Sequence, residues 1–277
     1  NFRESIKERQ QWATFLNHAK SIEYVNVQNE IVKITLEKYD IEKVEVLFES
    51  QKVSENAYYI KIPNLIEPQK VAKLLEKSIE DIKKTQYLIV DLRGNGGGDA
   101  TLLSPLEPFL FSSDEKPNTE IPPRLFNCTE RNVDLFIELC NQFRHLEIDP
   151  NTKKMLDFAE NIFKNNRGKG LIEVDFSQIL ETMQRDFHGT STPEKVMLLM
   201  DEYTASAAES CIEVCAESSK VTTIGRSTMG INDYSDLVIM QWENKYALSY
   251  PISKLKSKTD YHPDFGTGIK PDVYIKW

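Results

Sequence analysis

The chain is poor in cysteine and histidine and has no long apolar run, and each shortage removes a class of protein. Its four cysteines, Cys128, Cys140, Cys211 and Cys215, form neither a dense disulfide framework nor a C-x₂-C zinc pattern. They read as small core residues, with a redox or metal role as the alternative. No apolar stretch approaches the roughly 20 residues of a membrane-spanning helix. Basic residues are outnumbered, 34 Lys and Arg against 43 Asp and Glu. The resulting net charge of −9 argues against a nucleic-acid binder, because neutralising phosphates takes clustered Lys and Arg. Internal repeats and low-complexity tracts are also missing. With 40% hydrophobic and 28% charged residues, 277 in all, the composition is that of an ordinary globular protein: one large domain, with or without a small appendage. There is no methionine at the start and no signal-peptide pattern after Asn1. We therefore expect that something upstream has been removed or left out.

What the chain does have is organised around residues 196–212. Val196, Met197, Leu198, Leu199 and Met200 form an apolar run bounded by Asp201 and Glu202, which predicts a strand buried on both faces. Beyond a sharp turn, Ala208, Ile212, Cys215 and Ala216 recur at helical spacing, so Ser206 falls in the turn or in the first turn of a helix. The free N–H groups at such a helix start can stabilise an oxyanion beside the serine hydroxyl. A plain helix cap by Thr204 or Ser206 is the alternative.

Upstream, Tyr58 to Ile62 reads as a strand. Pro68 then opens a helix with Val71, Leu74, Leu75, Ile79 and Ile82 in one stripe, and residues 87–92 form a second strand. Together they predict a parallel unit with a right-handed crossover. The second strand runs into Arg93, Gly94, Asn95, Gly96, Gly97, Gly98 and Asp99. Glycines there permit positive φ and a close backbone approach to a reacting group. Asp99 breaks the dinucleotide pattern and no Gly-Lys-Ser/Thr follows, so a phosphate cradle fits poorly. A simple strand-end turn stays open.

The remaining segments are read more coarsely. Residues 1–20 predict an amphipathic helix, and alternation at 31–36 and 44–48 predicts two or three antiparallel strands. Residues 112–127 read as a loop. Helical stripes near 133–143, 155–163 and 176–187 make 129–188 a helical block, either a lid or substrate-binding insertion or plain packing. Residues 221–225 read as a strand, and 237–241 with 246–250 as a hairpin.

Four segments, in this order, resemble the C-terminal processing (tail-specific) protease family over about residues 57–277: Asp91 to Gly98, Thr204 to Glu209, Gly225 to Gly230, and Gly268 to Asp272. The resemblance implies an α/β fold with a crotonase/ClpP-like spiral core (57–277). That core carries the helical insertion (129–188) and is preceded by a small N-terminal helix-plus-strands region (1–56). It also implies a serine endopeptidase acting on proteins or peptides without metal or organic cofactor. Ser206 is then the nucleophile. The N–H groups of Ala207 and Gly97, with Gly96 as the alternative donor, form the oxyanion hole. Relatives occur in the bacterial cell envelope, outside cells and in the cytosol; a removed signal would favour the first two.

One position departs from the pattern. The family motif G-x-x-T-x-G-K ends in the lysine that acts as general base, and Ile231 stands there. This is more similar to the tricorn and retinoid-binding-protein-like branch, whose serine uses a histidine supplied from before the core; some base is required, because serine near its free pKa is a weak nucleophile. His18 fits that chain position, and a base upstream of Asn1 is the equal alternative. His145, His188 and His262 are the other histidines, and Asp233, Asp236 or Asp264 could orient one. Residues 21–56 are too short for the family's PDZ module. Two other readings stay open. One is an inactive member that binds peptides or a small apolar ligand; the other is a crotonase-like acyl-CoA enzyme, since a shared fold does not assign function.

Overall fold

A computed structural model of the chain describes residues 20–36, 47–115, 123–144, 150–174, 188–243, 245–256 and 267–276. The expected helices at 1–20 and 176–187, and residues 44–46 of an expected strand, lie outside these. Strands β1 (Ser21–Val25) and β2 (Ile31–Thr35) form a separate antiparallel pair. The main sheet contains β3 (Glu49–Lys52), β4 (Ala57–Lys61), β5 (Tyr87–Asp91), β8 (Lys195–Met200), β9 (Val221–Gly225) and β12 (Val273–Tyr274), in the order β12-β9-β8-β5-β4-β3. All neighbours in it are parallel except β3, which pairs antiparallel with β4. A second sheet, β10-β11-β6-β7, is antiparallel throughout and contains β6 (Arg124–Cys128), β7 (Gly170–Val174), β10 (Tyr234–Trp242) and β11 (Tyr246–Leu255).

The helices follow their apolar stripes. Helix α1 (Pro68–Ile82) starts on its proline and buries Val71, Leu74, Leu75 and Ile82, as a one-faced helix should. These side chains share a core with Leu88 and Val90 of β5 and with Val196, Leu198 and Met200 of β8. Ile212 and Cys215 of α5 (Ala207–Cys215) complete it. Between α1 and α5 come the short α2 (Glu107–Leu110), α3 (Glu130–Arg144) and α4 (Pro150–Asn165). Strand β8 is not buried equally on both faces. Val196, Leu198 and Met200 are buried, and Met197 and Leu199 only partly, because only the first set faces the core built with α1 and α5.

Three local expectations change. A strand starts at Glu49, after the 44–48 run. Residues 124–128 belong to β6 and not to a loop, and the block 129–188 holds β7 as well as helices. Both β6 and β7 are five residues long, too short for their alternation to stand out. They exist because they pair with each other, with Phe126 opposite Ile172. Their apolar side joins a second core of Phe126, Cys128, Val133, Phe163, Val174, Val238 and Ile252, in which the Phe136 and Phe163 rings stack at 4.0 Å.

Parallel pairing has one consequence for function. Strands β4, β5, β8 and β9 all end on the same edge, so the segments after them emerge together, the usual position of a site in open parallel sheets. Those segments are residues 62–66, the glycine loop, the Ser206 turn and the 225–231 loop.

Candidate active site

Ser206 sits between the end of β8 and the first residue of α5 with φ 54° and ψ −121°. A non-glycine residue at such angles is strained by roughly 1–3 kcal/mol and persists only when its surroundings hold it. A strained serine on a strand-to-helix turn is also how hydrolases present a nucleophile. Several contacts hold this one. The Thr204 hydroxyl donates to the Leu92 carbonyl at 3.0 Å, the Ala205 N–H to the Asn95 carbonyl at 2.9 Å, and the Met229 N–H to the Thr204 carbonyl at 2.8 Å. Ser206 and Glu209 stand in a capping-box arrangement. Glu209 Oε2 accepts the Ser206 N–H at 2.9 Å, and the Ser206 hydroxyl oxygen faces the Glu209 N–H in the same box; as an acceptor there it keeps its own proton for transfer.

The glycine loop presses on this turn. Gly97 is buried with φ 97°, and a Cβ built on it would lie 2.8 Å from Ser206 Cβ, 2.9 Å from the Ala205 oxygen and 3.0 Å from the Ala207 nitrogen. Only glycine allows that approach. Asn95, fully buried, ties the loop together. Its Nδ2 donates to the Ile62 carbonyl at 2.8 Å and its Oδ1 accepts the Gly97 N–H at 2.9 Å. Among the described residues, nothing accepts the N–H groups of Gly96, Gly98 or Ala207. The loop is entered through Asp91, whose carboxylate accepts from the Tyr59 hydroxyl at 2.8 Å and from Arg93 Nε at 2.9 Å. Burial pushes the Asp91 carboxyl up, but the Arg93 and Tyr59 hydrogen bonds outweigh it and hold it below the ordinary range. Burial, then the bond to Asp91, pushes Tyr59 up to about 12.

Glu209 joins the turn to the 225–231 loop. Besides the Ser206 N–H, its buried carboxylate accepts the Thr228 hydroxyl and the Gly230 N–H, each at 2.6 Å, and the Ile231 N–H at 3.1 Å. Ser206 N and Ile231 N both bond to Oε2, so the two nitrogens are at most 6.0 Å apart, the sum of 2.9 and 3.1 Å. We expect Glu209→Gln to lower stability by about 2 kcal/mol, because an amide NH₂ would face donors where the carboxylate offered only acceptors. Urea unfolding measures it; a change below ~0.5 kcal/mol would mean that the carboxylate does not hold the loop.

Other candidates lie elsewhere. His18, His145, His262 and Asp264 are outside the described residues. His188 precedes Gly189 and Thr190, which pack on Ser112 and Phe111. Lys220 bridges Phe111 and Thr190 through their carbonyls, just before β9 begins. That is the opposite edge of the sheet, roughly 17 Å from the Ser206 turn along β8. Asp236 faces Arg124 at 3.7 Å, and the Asp233 carbonyl accepts the Leu255 N–H at 3.0 Å. A cavity of about 520 Å³ between α3, α4 and β10 is lined by Phe126, Phe136, Phe143 and Phe163, with Arg124 and Asp236; Ser206 does not line it.

The converging turn, glycine loop and 225–231 loop agree with a match at the level of sequence. The family model described as Peptidase family S41 covers residues 56–118 and 132–275, most of the chain. The chain belongs to peptidase family S41. Among solved structures, this S41 chain is similar to a lipoprotein from Streptococcus agalactiae (15% identity, covering 82% of this chain and 64% of that one, TM-score 0.45). It is similar too to mature CPAF (12%, 92% and 49%, 0.49) and to the photosystem II D1 C-terminal processing protease (12%, 92% and 55%, 0.41). The chain spans about half to two thirds of the length of these structures. No curated protein matches it. The described helices include none long and apolar enough to cross a membrane.

Asn95, Glu209 and Thr228 lie inside the motifs of this S41 chain, but their residue types alone mark no role for them. The Glu209 bond to the Ser206 N–H could have been found, since Ser206 and Glu209 have capping-box spacing. Nothing in the local sequence predicts the bonds to Thr228 and Ile231.

Proposed function

We propose that this chain is a serine endopeptidase that hydrolyses peptide bonds through an acyl-enzyme on Ser206. The observation that carries the reading is the strained Ser206 turn at the start of α5, with a buried glycine pressed against it. Ser206 Oγ attacks the scissile carbonyl while its proton passes to a base. The Ala207 N–H and an N–H of the glycine loop stabilise the oxyanion. Collapse of the tetrahedral intermediate expels the amine, and water then cleaves the ester. The base is a histidine, His18 or one upstream of Asn1. On this reading 57–277 is the catalytic unit, a crotonase/ClpP-like spiral with 129–188 as its insertion and 1–56 as a partial subdomain. It works without metal or organic cofactor, in the bacterial cell envelope or outside the cell.

A second reading, an inactive member that binds peptides or a small apolar ligand, is favoured by Ile231 at the lysine position. A fluorophosphonate probe and mass spectrometry separate the two. We expect labelling at Ser206 and none in Ser206→Ala, in this chain or in the longest natural one. Labelling confined to the longer chain places the base upstream. No labelling of either, where a control serine hydrolase reacts, overturns the peptidase reading.

A further inference from the structure

The family resemblance makes Gly97 the loop's oxyanion donor, but in the structure its N–H is already given to Asn95 Oδ1 at 2.9 Å. The next peptide is oriented differently. The Gly97 carbonyl accepts the Leu65 N–H at 3.0 Å, and the Asp99 N–H donates to the Leu65 carbonyl at 2.8 Å, so this stretch pairs with the segment that follows β4. The Gly97–Gly98 peptide is trans. In a trans peptide the N–H points opposite to the C=O. The Gly98 N–H therefore points away from Leu65. Because β5 lies between β4 and β8 in the sheet, away from Leu65 is toward the segment after β8, where Ser206 stands. No described residue accepts that N–H.

We propose that Asn95 is a positioning residue: its side-chain carbonyl takes up the Gly97 N–H, and the donor that the glycine loop presents to Ser206 is the amide of Gly98. Gly97 then contributes its missing side chain, and its N–H serves the loop itself. Asn95 suits the task because all four of its polar groups are engaged. Its N–H bonds to Leu92, its carbonyl to Ala205, its Nδ2 to Ile62 and its Oδ1 to Gly97. One buried residue thereby fixes the loop to Ile62, just after β4, through its side chain and to the Ser206 turn through its backbone carbonyl. This role deepens the serine peptidase reading and rests on it.

The test uses protein labelled with ¹⁵N,¹³C′-glycine. Only Gly97 and Gly98 follow another glycine, so a carbonyl-filtered amide spectrum shows those two signals alone. Gly96→Ala removes the Gly97 signal and assigns them; a Cβ there meets nothing within 4 Å. We expect the Gly97 amide to be protected from hydrogen exchange and the Gly98 amide to exchange freely. In Asn95→Ala the Gly97 protection falls. In Asn95→Asp, which keeps the acceptor, it is retained. On reaction with the probe, Ser206 Oγ bonds to phosphorus, and fluoride and the hydroxyl proton leave. The phosphoryl oxygen then occupies the oxyanion position, and the Gly98 amide proton moves downfield while that of Gly97 stays in place. In Asn95→Ala the labelling rate falls about 100-fold. Faster exchange at Gly97 than at Gly98, or an adduct shift at Gly97 alone, overturns the proposal. If no adduct forms in either chain, the peptidase reading falls, and the exchange pattern still decides whether Asn95 holds Gly97.

Discussion

Gly97→Ala is expected to cut the rate of Ser206 labelling by about 100-fold or more and to lower stability by about 2–4 kcal/mol. Two independent costs add. The backbone at φ 97° is one that a residue with a Cβ rarely adopts, and the new methyl would lie 2.8 Å from Ser206 Cβ, with backbone atoms at 2.9 and 3.0 Å as its other neighbours. A flexible side chain could move aside, but the backbone of a strained turn cannot do so without displacing Ser206. The loop must therefore retreat from Ser206 and take its amides with it. Gly96→Ala is the control for stability, since its φ is not positive and its Cβ would meet nothing within 4 Å. Labelling kinetics and thermal unfolding of the two variants measure both effects. A Gly97→Ala protein as stable and as reactive as the parent would show that the loop does not approach Ser206 this closely.

Ile231→Lys is expected to raise the labelling rate at Ser206 by about 100-fold, the contribution of a positioned base. The Ile231 nitrogen is within 6.0 Å of the Ser206 nitrogen, because Glu209 Oε2 binds both at 2.9 and 3.1 Å. A lysine stem spans roughly 6 Å, so an ε-amino group at 231 can reach the hydroxyl. Lysine accepts a proton only when neutral; partial burial favours that form, and the Glu209 carboxylate bound to the 231 backbone opposes it. The labelling rate should therefore climb with pH as the amine loses its proton, with no such step in the parent. A pH–rate profile identical to the parent's would mean that the side chain at 231 points away from Ser206, however near its backbone lies.

Much of the main sheet is legible in the amino-acid sequence. The stripe from Val71 to Ile82 between two apolar runs specifies β4, α1 and β5 as a parallel unit, because a strand cannot return to parallel register without a crossover. The run from Val196 to Met200 followed by helical spacing specifies β8 and α5 by the same logic. Strands β6 and β7 are not legible, since each is short and becomes a strand by pairing with the other, across a connection that includes α3 and α4. The candidate site divides in the same way. Ser206 and the glycines stand out by residue type at strand ends, whereas Asn95 and Glu209 are polar residues of common kinds whose partners come from other segments.

By itself, then, the sequence determined the elements with strong periodicity, the place of a serine at a helix start, the glycine-rich strand end and the family. Each of these is a local pattern, written in the spacing that puts side chains on one face. Only the tertiary structure decided which loops meet. The Thr204 hydroxyl reaches a carbonyl 112 residues away, and the Glu209 carboxylate reaches Gly230 and Ile231 in the loop after β9. Such contacts depend on the order of strands in the sheet and on the shared edge at which parallel strands end. Periodicity along the chain does not carry that order, because residues that alternate identically can pair with any neighbour whose register and burial agree.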